Sequence, residues 1–98
     1  MRIGVLGTGV VGQTIGTKLI ELGHAVRMGA RSATNEKAVA WVAKVNENDG
    51  AEASHGTFAD AAAFGEMLFN CTAGTASLSA LEAAGADNLD VKILVDIA

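Results

Sequence analysis

The sequence predicts an α/β fold: a doubly wound parallel sheet of about five strands, order 3-2-1-4-5, with helices on both faces. Three observations lead there. Short apolar runs alternate with helical patterns along the whole chain. Glycines stand where these segments meet, twelve of them against no proline, so glycine does the turning and helix stopping. The apolar half of the chain is mostly Ala, Val, Leu and Ile with few aromatics, a balance that suits alanine-rich helices over an aliphatic sheet.

Each element has its own signal. Ile3 to Leu6 is a short apolar run before glycines and reads as a buried strand. From Val10 to Leu22 the apolar spacing turns helical, with Val11, Ile15, Leu19 and Leu22 at threes and fours. Gly12 and Gly16 form a neighbouring stripe that lets this helix approach a sheet, and Gly23 stops it. Ala25 to Gly29 reads as the second strand. Ser32 or Thr34 is placed to cap a helix reaching about Glu47, whose stripe is Ala38, Trp41, Val42 and Val45. Asn48-Asp49-Gly50 is a turn, and Ala51 to Ser54 a weak third strand. Thr57 with Asp60 has capping-box spacing for a short alanine-rich helix that Gly65 closes. Met67 to Cys71 reads as the fourth strand. Thr75 or Ser77 opens a helix that carries Leu78 and Leu81 and ends near Gly85; Lys92 to Ile97 is the fifth strand. The crossovers are right-handed, so strands 1 and 4 flank a switch point where ligands bind.

At 98 residues the chain is sized for one domain, 1–98. Net charge is −4, from 7 basic and 11 acidic residues, which excludes the basic patch of a nucleic-acid surface. There is no Lys/Arg run for anionic lipid and no stretch of membrane-spanning length. Glycines interrupt the first apolar run, so it reads as a mature, cytoplasmic N-terminus rather than a signal peptide. Cys71 is the single cysteine and His24 and His55 are scattered, so no disulfide and no metal site is expected.

Gly7-Thr8-Gly9-Val10-Val11-Gly12 matches G-x-G-x-x-G between a strand and a helix, the Rossmann dinucleotide fingerprint. Gly7 permits the tight turn, Gly9 lets backbone approach a pyrophosphate, and Gly12 lets helix lie against strand. Free N–H groups at the helix start face the phosphates. An NAD site carries a carboxylate about 20 residues on, at the end of strand 2. None lies between Glu21 and Glu36; Arg31 and Ser32 stand there, with Lys37 one turn into the next helix. A guanidinium and a hydroxyl suit the 2′-phosphate of NADP, and Arg31 can lie on the adenine face. Cys71-Thr72-Ala73-Gly74 faces the cofactor's ribose and nicotinamide end. With no histidine to activate it, Cys71 reads as a buried thiol, not a nucleophile. His24 reads as a turn residue, Trp41 as core, His55 as remote from the site at the far end of strand 3, and Asp96 as structural.

Arg2 to Gly12, Leu22-Gly23-His24, Gly29-Ala30-Arg31, the segment Gly65 to Gly74, and Leu94 to Ala98 together resemble the coenzyme F420-dependent NADP oxidoreductases. They are similar also to the wider set of NADP reductases with that domain. The resemblance implies that Thr8, Gly9, Val10 and Val11 wrap the pyrophosphate. It places Ala30 and Arg31 at the 2′-phosphate and Cys71, Thr72 and Ala73 beside the nicotinamide. Ala30 stands where the family often has Ser, and Ser32 is the neighbour able to replace that hydrogen bond. In the family, hydride passes directly between nicotinamide and a deazaflavin, and the protein aligns the two rings without an evident acid–base residue. Family proteins continue past this strand, usually with Asn-Pro, into a portion that completes the substrate pocket. The expectation is therefore an NADP(H)-binding half with little turnover alone, its fifth strand an exposed edge for pairing with a second copy. A non-catalytic NADP(H) module, and the NADP domain of an imine or hydroxy-acid reductase, are the alternatives.

Overall fold

The computed structural model describes residues 1–72, 76–89 and 92–97. The elements are β1 (Arg2–Leu6), α1 (Val10–Glu21), β2 (Ala25–Ala30), α2 (Glu36–Val45), β3 (Ala53–Thr57), α3 (Phe58–Phe64), β4 (Met67–Asn70), α4 (Ala76–Ala84), α5 (Ala86–Leu89) and β5 (Ile93–Asp96). All four strand pairings are parallel, in the expected order β3-β2-β1-β4-β5. Leu6 stands level with Gly29 on one side and Asn70 on the other. The carboxyl ends of β1, β2 and β4 therefore finish together. None of the described helices is long and apolar enough to cross a membrane.

Alternation along each strand sends side chains to two cores. On one face Ile3, Val5, Val26 and Met28 pack under Ala38, Trp41 and Val45 of α2. On the other, Leu6 and Leu68 pack under Phe58, Ala61 and Ala62 of α3 and Ala80 and Ala84 of α4. Trp41 lies against Gly16 and donates its Nε1–H to Thr17 Oγ1 at 3.1 Å, which joins α2 to α1.

Five local readings change. The buried face of α1 is the glycine stripe, Gly12 and Gly16, with Leu19 and Ile20 against the core; Val11 and Leu22 are exposed. Missing side chains bring the helix axis to the sheet, and flanking apolar residues then stand clear of it. Asn35, not Ser32 or Thr34, caps α2: its side chain accepts from Ala38 N–H at 3.1 Å. Ser32 and Thr34 bond to each other within the preceding turn, so neither reaches the helix. The third strand runs two residues late, Ala53–Thr57 instead of Ala51–Ser54. Ala51 is still held by the turn at Asn48, and Gly56 continues the ladder beside Gly29, with Asp60 packed where a side chain on Gly56 would stand. His55 consequently sits mid-strand, near the strands' carboxyl ends, not away from them. Beyond Gly85, at φ +91°, α5 adds a helical turn that the pattern did not announce. The Thr57–Asp60 capping box is present as read, and its hydrogen bonds hold the Asp60 carboxyl below its ordinary value of 3.8.

Candidate functional site

The turn after β1 is built by close backbone contacts. Gly7 donates its N–H to the Gly29 carbonyl at 3.0 Å, and its φ is +121°, open to glycine and strained for other residues. A Cβ on Gly12 would sit 2.5 Å from the Gly7 carbonyl oxygen. Gly9 is different. Its backbone is extended, at φ −78° and ψ −170°, which any residue adopts, and a Cβ there would meet nothing within 4 Å. The fold itself makes no demand for glycine at that position. Gly9 also leaves the start of α1 without a side-chain cap, and the first turn has no acidic residue. The positive end of the helix dipole thus faces open space in front of Gly9.

A cleft of about 310 Å³ opens at this turn, lined by Gly7, Thr8, Gly9, Ala30, Arg31, Asn35, Phe58, Cys71, Thr72 and Ala76. It lies over the switch point, between the β2 and β4 ends. The residues read from sequence at Gly7, Thr8, Gly9, Ala30, Arg31, Cys71 and Thr72 converge on it. Val10 is exposed at the helix start and Val11 and Gly12 follow in the first turn, outside the lining. Ser32 turns its hydroxyl toward Thr34, and Lys37 is exposed as the second residue of α2, neither on the cleft wall. Ala73 and the Thr75 cap lie outside the described residues.

Four features were not legible. Arg31 crosses the cleft mouth and donates from its terminal guanidinium nitrogen to Ser79 Oγ of α4 at 3.2 Å. His55 Nδ1 donates to the Ala33 carbonyl at 2.9 Å and so steadies the loop that carries Arg31. Phe58 forms part of the cleft floor at the α3 start. Asn70 is fully buried at the end of β4. Its carboxamide bonds the Thr72 N–H and hydroxyl, Ser77 Oγ, and, at 3.5 Å, Asp96 of β5. A polar residue ending the apolar run Met67-Leu68-Phe69 was the available signal for it. Ser77, read as a helix cap, lies within the first turn of α4, and its Oγ accepts from Asn70 Nδ2.

Burial pushes the Cys71 thiol up from 9.0 to about 11, so it is neutral at pH 7 and a poor nucleophile. Alkylation of Cys71 by iodoacetamide is expected to be slow at neutral pH and to rise with pH until about 11. Full reactivity at pH 8 would show that the thiol is not held this way.

The profile of the family described as NADP oxidoreductase, coenzyme F420-dependent, matches residues 2–98. The chain belongs to this family. A crystal structure from Arthrobacter sp. FB24, of a protein provisionally designated an F420-dependent NADP-reductase, is 42% identical with a TM-score of 0.85. It is matched over 100% of this chain and 45% of that one. An imine reductase from Bacillus cereus is 28% identical, TM-score 0.73, over 99% of this chain and 31% of that one. An imine reductase from Streptomyces aurantiacus, 24% identical with a TM-score of 0.76 over 100% and 32%, shares the fold. No curated protein sequence matches. The chain thus spans less than half the length of these solved relatives. Family and fold together make it a Rossmann-type domain of an NADP oxidoreductase family.

Proposed function

We propose that these residues form the NADP(H) half of a hydride-transfer enzyme whose acceptor is coenzyme F420 or a flavin-like ring. Gly9 carries the reading. A glycine with ordinary backbone angles and empty space at its Cβ is explained by something that must approach the backbone there, and a pyrophosphate at a helix N-terminus is that kind of group. The cleft residues fit the remainder. Arg31 and Ser32 would hold the 2′-phosphate, with Lys37 adding positive charge, and Arg31 would cover the adenine once it leaves Ser79. Thr8 to Gly12 would hold the pyrophosphate. Cys71, Thr72 and Ala73 would border the nicotinamide. When bound, the cofactor supplies the hydride; the protein's part is to fix the ring and exclude water.

The F420 acceptor rests on the family, and the 42% identical relative supports it over the imine-reductase alternative at 28%. Titration with NADPH, followed by a 420 nm assay with oxidised F420, tests the reading. Saturable NADPH binding is expected, with F420 reduction weak for these 98 residues alone, which span 45% of the 42% identical relative. Absence of NADPH binding contradicts the cofactor reading. Robust F420 reduction by the chain alone contradicts the claim that its site is half of one.

A further inference from the structure

We propose that Thr72 is locked as a hydrogen-bond acceptor, and that it selects a donor on the nicotinamide half of the dinucleotide: a ribose hydroxyl or the carboxamide N–H. The proposal rests on the dinucleotide reading above and sharpens it at one atom.

The lock follows from who can donate. The backbone N–H of Thr72 lies 3.3 Å from one end of the Asn70 carboxamide. An N–H only donates, so that end is the oxygen, Oδ1. The other end, Nδ2, donates to Ser77 Oγ at 2.6 Å and faces the Asp96 carboxylate at 3.5 Å, which fixes the same orientation independently. The Thr72 hydroxyl stands 2.6 Å from Oδ1. Oδ1 has no hydrogen, so the single hydroxyl hydrogen of Thr72 is spent on it. What Thr72 keeps for the cleft is lone pairs.

Rigidity follows from burial. Asn70 is 0% exposed and Thr72 8% exposed. Rotating the hydroxyl toward a ligand acceptor would strip Oδ1 of its shortest bond inside the protein, an expensive exchange. The carboxamide is held from three elements: the loop after β4, α4 and β5. Thr72 lines the cleft on the β4 side, across the glycine turn from Arg31. The atom that answers it on the ligand must donate. Neighbouring Cys71 offers a neutral thiol, a weak donor, so of these two side chains Thr72 is the strong acceptor.

Binding of three probes separates the outcomes: NADPH, 2′-phospho-ADP-ribose, which lacks the nicotinamide, and 2′,5′-ADP, which lacks the whole nicotinamide half. Thr72→Val is expected to weaken NADPH about 5- to 10-fold, the effect of one hydrogen bond, while 2′,5′-ADP stays within about 2-fold. Thr72→Ser, which keeps the hydroxyl, restores NADPH affinity. A loss shared by 2′-phospho-ADP-ribose assigns the donor to the ribose; a loss for NADPH alone assigns it to the carboxamide. Should Thr72→Val not fold, Thr72→Ala, which also lacks the hydroxyl, carries the same three-probe comparison. Unchanged NADPH affinity in Thr72→Val, or a parallel loss of 2′,5′-ADP, overturns the proposal while the dinucleotide reading stands. If the unaltered chain binds no NADPH, that reading falls and the proposal with it.

Discussion

Arg31→Ala will weaken NADPH binding about 10- to 100-fold and change NADH binding by no more than about 2-fold, because hydrogen bonds to a charged group contribute roughly 1.5–3 kcal/mol. The side chain is exposed at the cleft mouth, bonded only lightly to Ser79 at 3.2 Å, so its removal should leave the fold intact. That bond also opposes binding a little, since the guanidinium must leave Ser79 to reach a phosphate. An exposed pair of this kind is a small opponent next to a charge-assisted contact with the 2′-phosphate. Calorimetric titration of both nucleotides with both proteins gives the four constants. Equal losses for NADPH and NADH would mean that Arg31 serves the adenine alone.

Two glycines of the motif, Gly12 and Gly9, are expected to fail in opposite ways. Gly12→Val puts a branched side chain where a Cβ already comes within 2.5 Å of the Gly7 carbonyl oxygen. That neighbour is backbone in a tight turn and cannot step aside, so α1 must lift from β1. Overpacking of this kind costs about 3 kcal/mol at its upper range, more than the few tenths gained from helix propensity. For a domain of this size that is a drop in Tm of more than roughly 10 °C. Gly9→Ala meets nothing, so Tm should stay within about 3 °C while NADPH affinity falls about 10-fold or more, the methyl group standing where phosphate must approach. Thermal melts with and without NADPH distinguish the two. A Gly9→Ala protein that binds NADPH normally would remove the ligand as the reason for that glycine.

What was legible in the sequence was periodic or short-range. Strand order, the glycine turn and the Thr57–Asp60 box each depend on patterns within a few residues or on the fixed handedness of crossovers. Missed features depend on neighbours distant in the chain. Gly56 belongs in β3 only because β2 pairs beside it and Asp60 packs over it. Asn35 caps α2 because Ser32 and Thr34 satisfy each other first. His55 meets Ala33, and Arg31 meets Ser79, through the parallel arrangement of β2, β3 and β4. Asn70 looked like a strand residue; its role comes from partners at Thr72, Ser77 and Asp96 that the sheet assembles. Val10, Val11 and Gly12, read from the glycine motif, and Ser32 and Lys37, read from the segment after β2, stand beside the cleft rather than on its wall.

The central claim is that the β1–α1 turn and the end of β2 together choose NADP(H). Its most direct test is equilibrium titration of the unaltered chain with NADPH and NADH under the same salt. The missing carboxylate and Arg31 predict that NADPH binds at least about 10-fold more tightly. NADH bound equally well or better would contradict it.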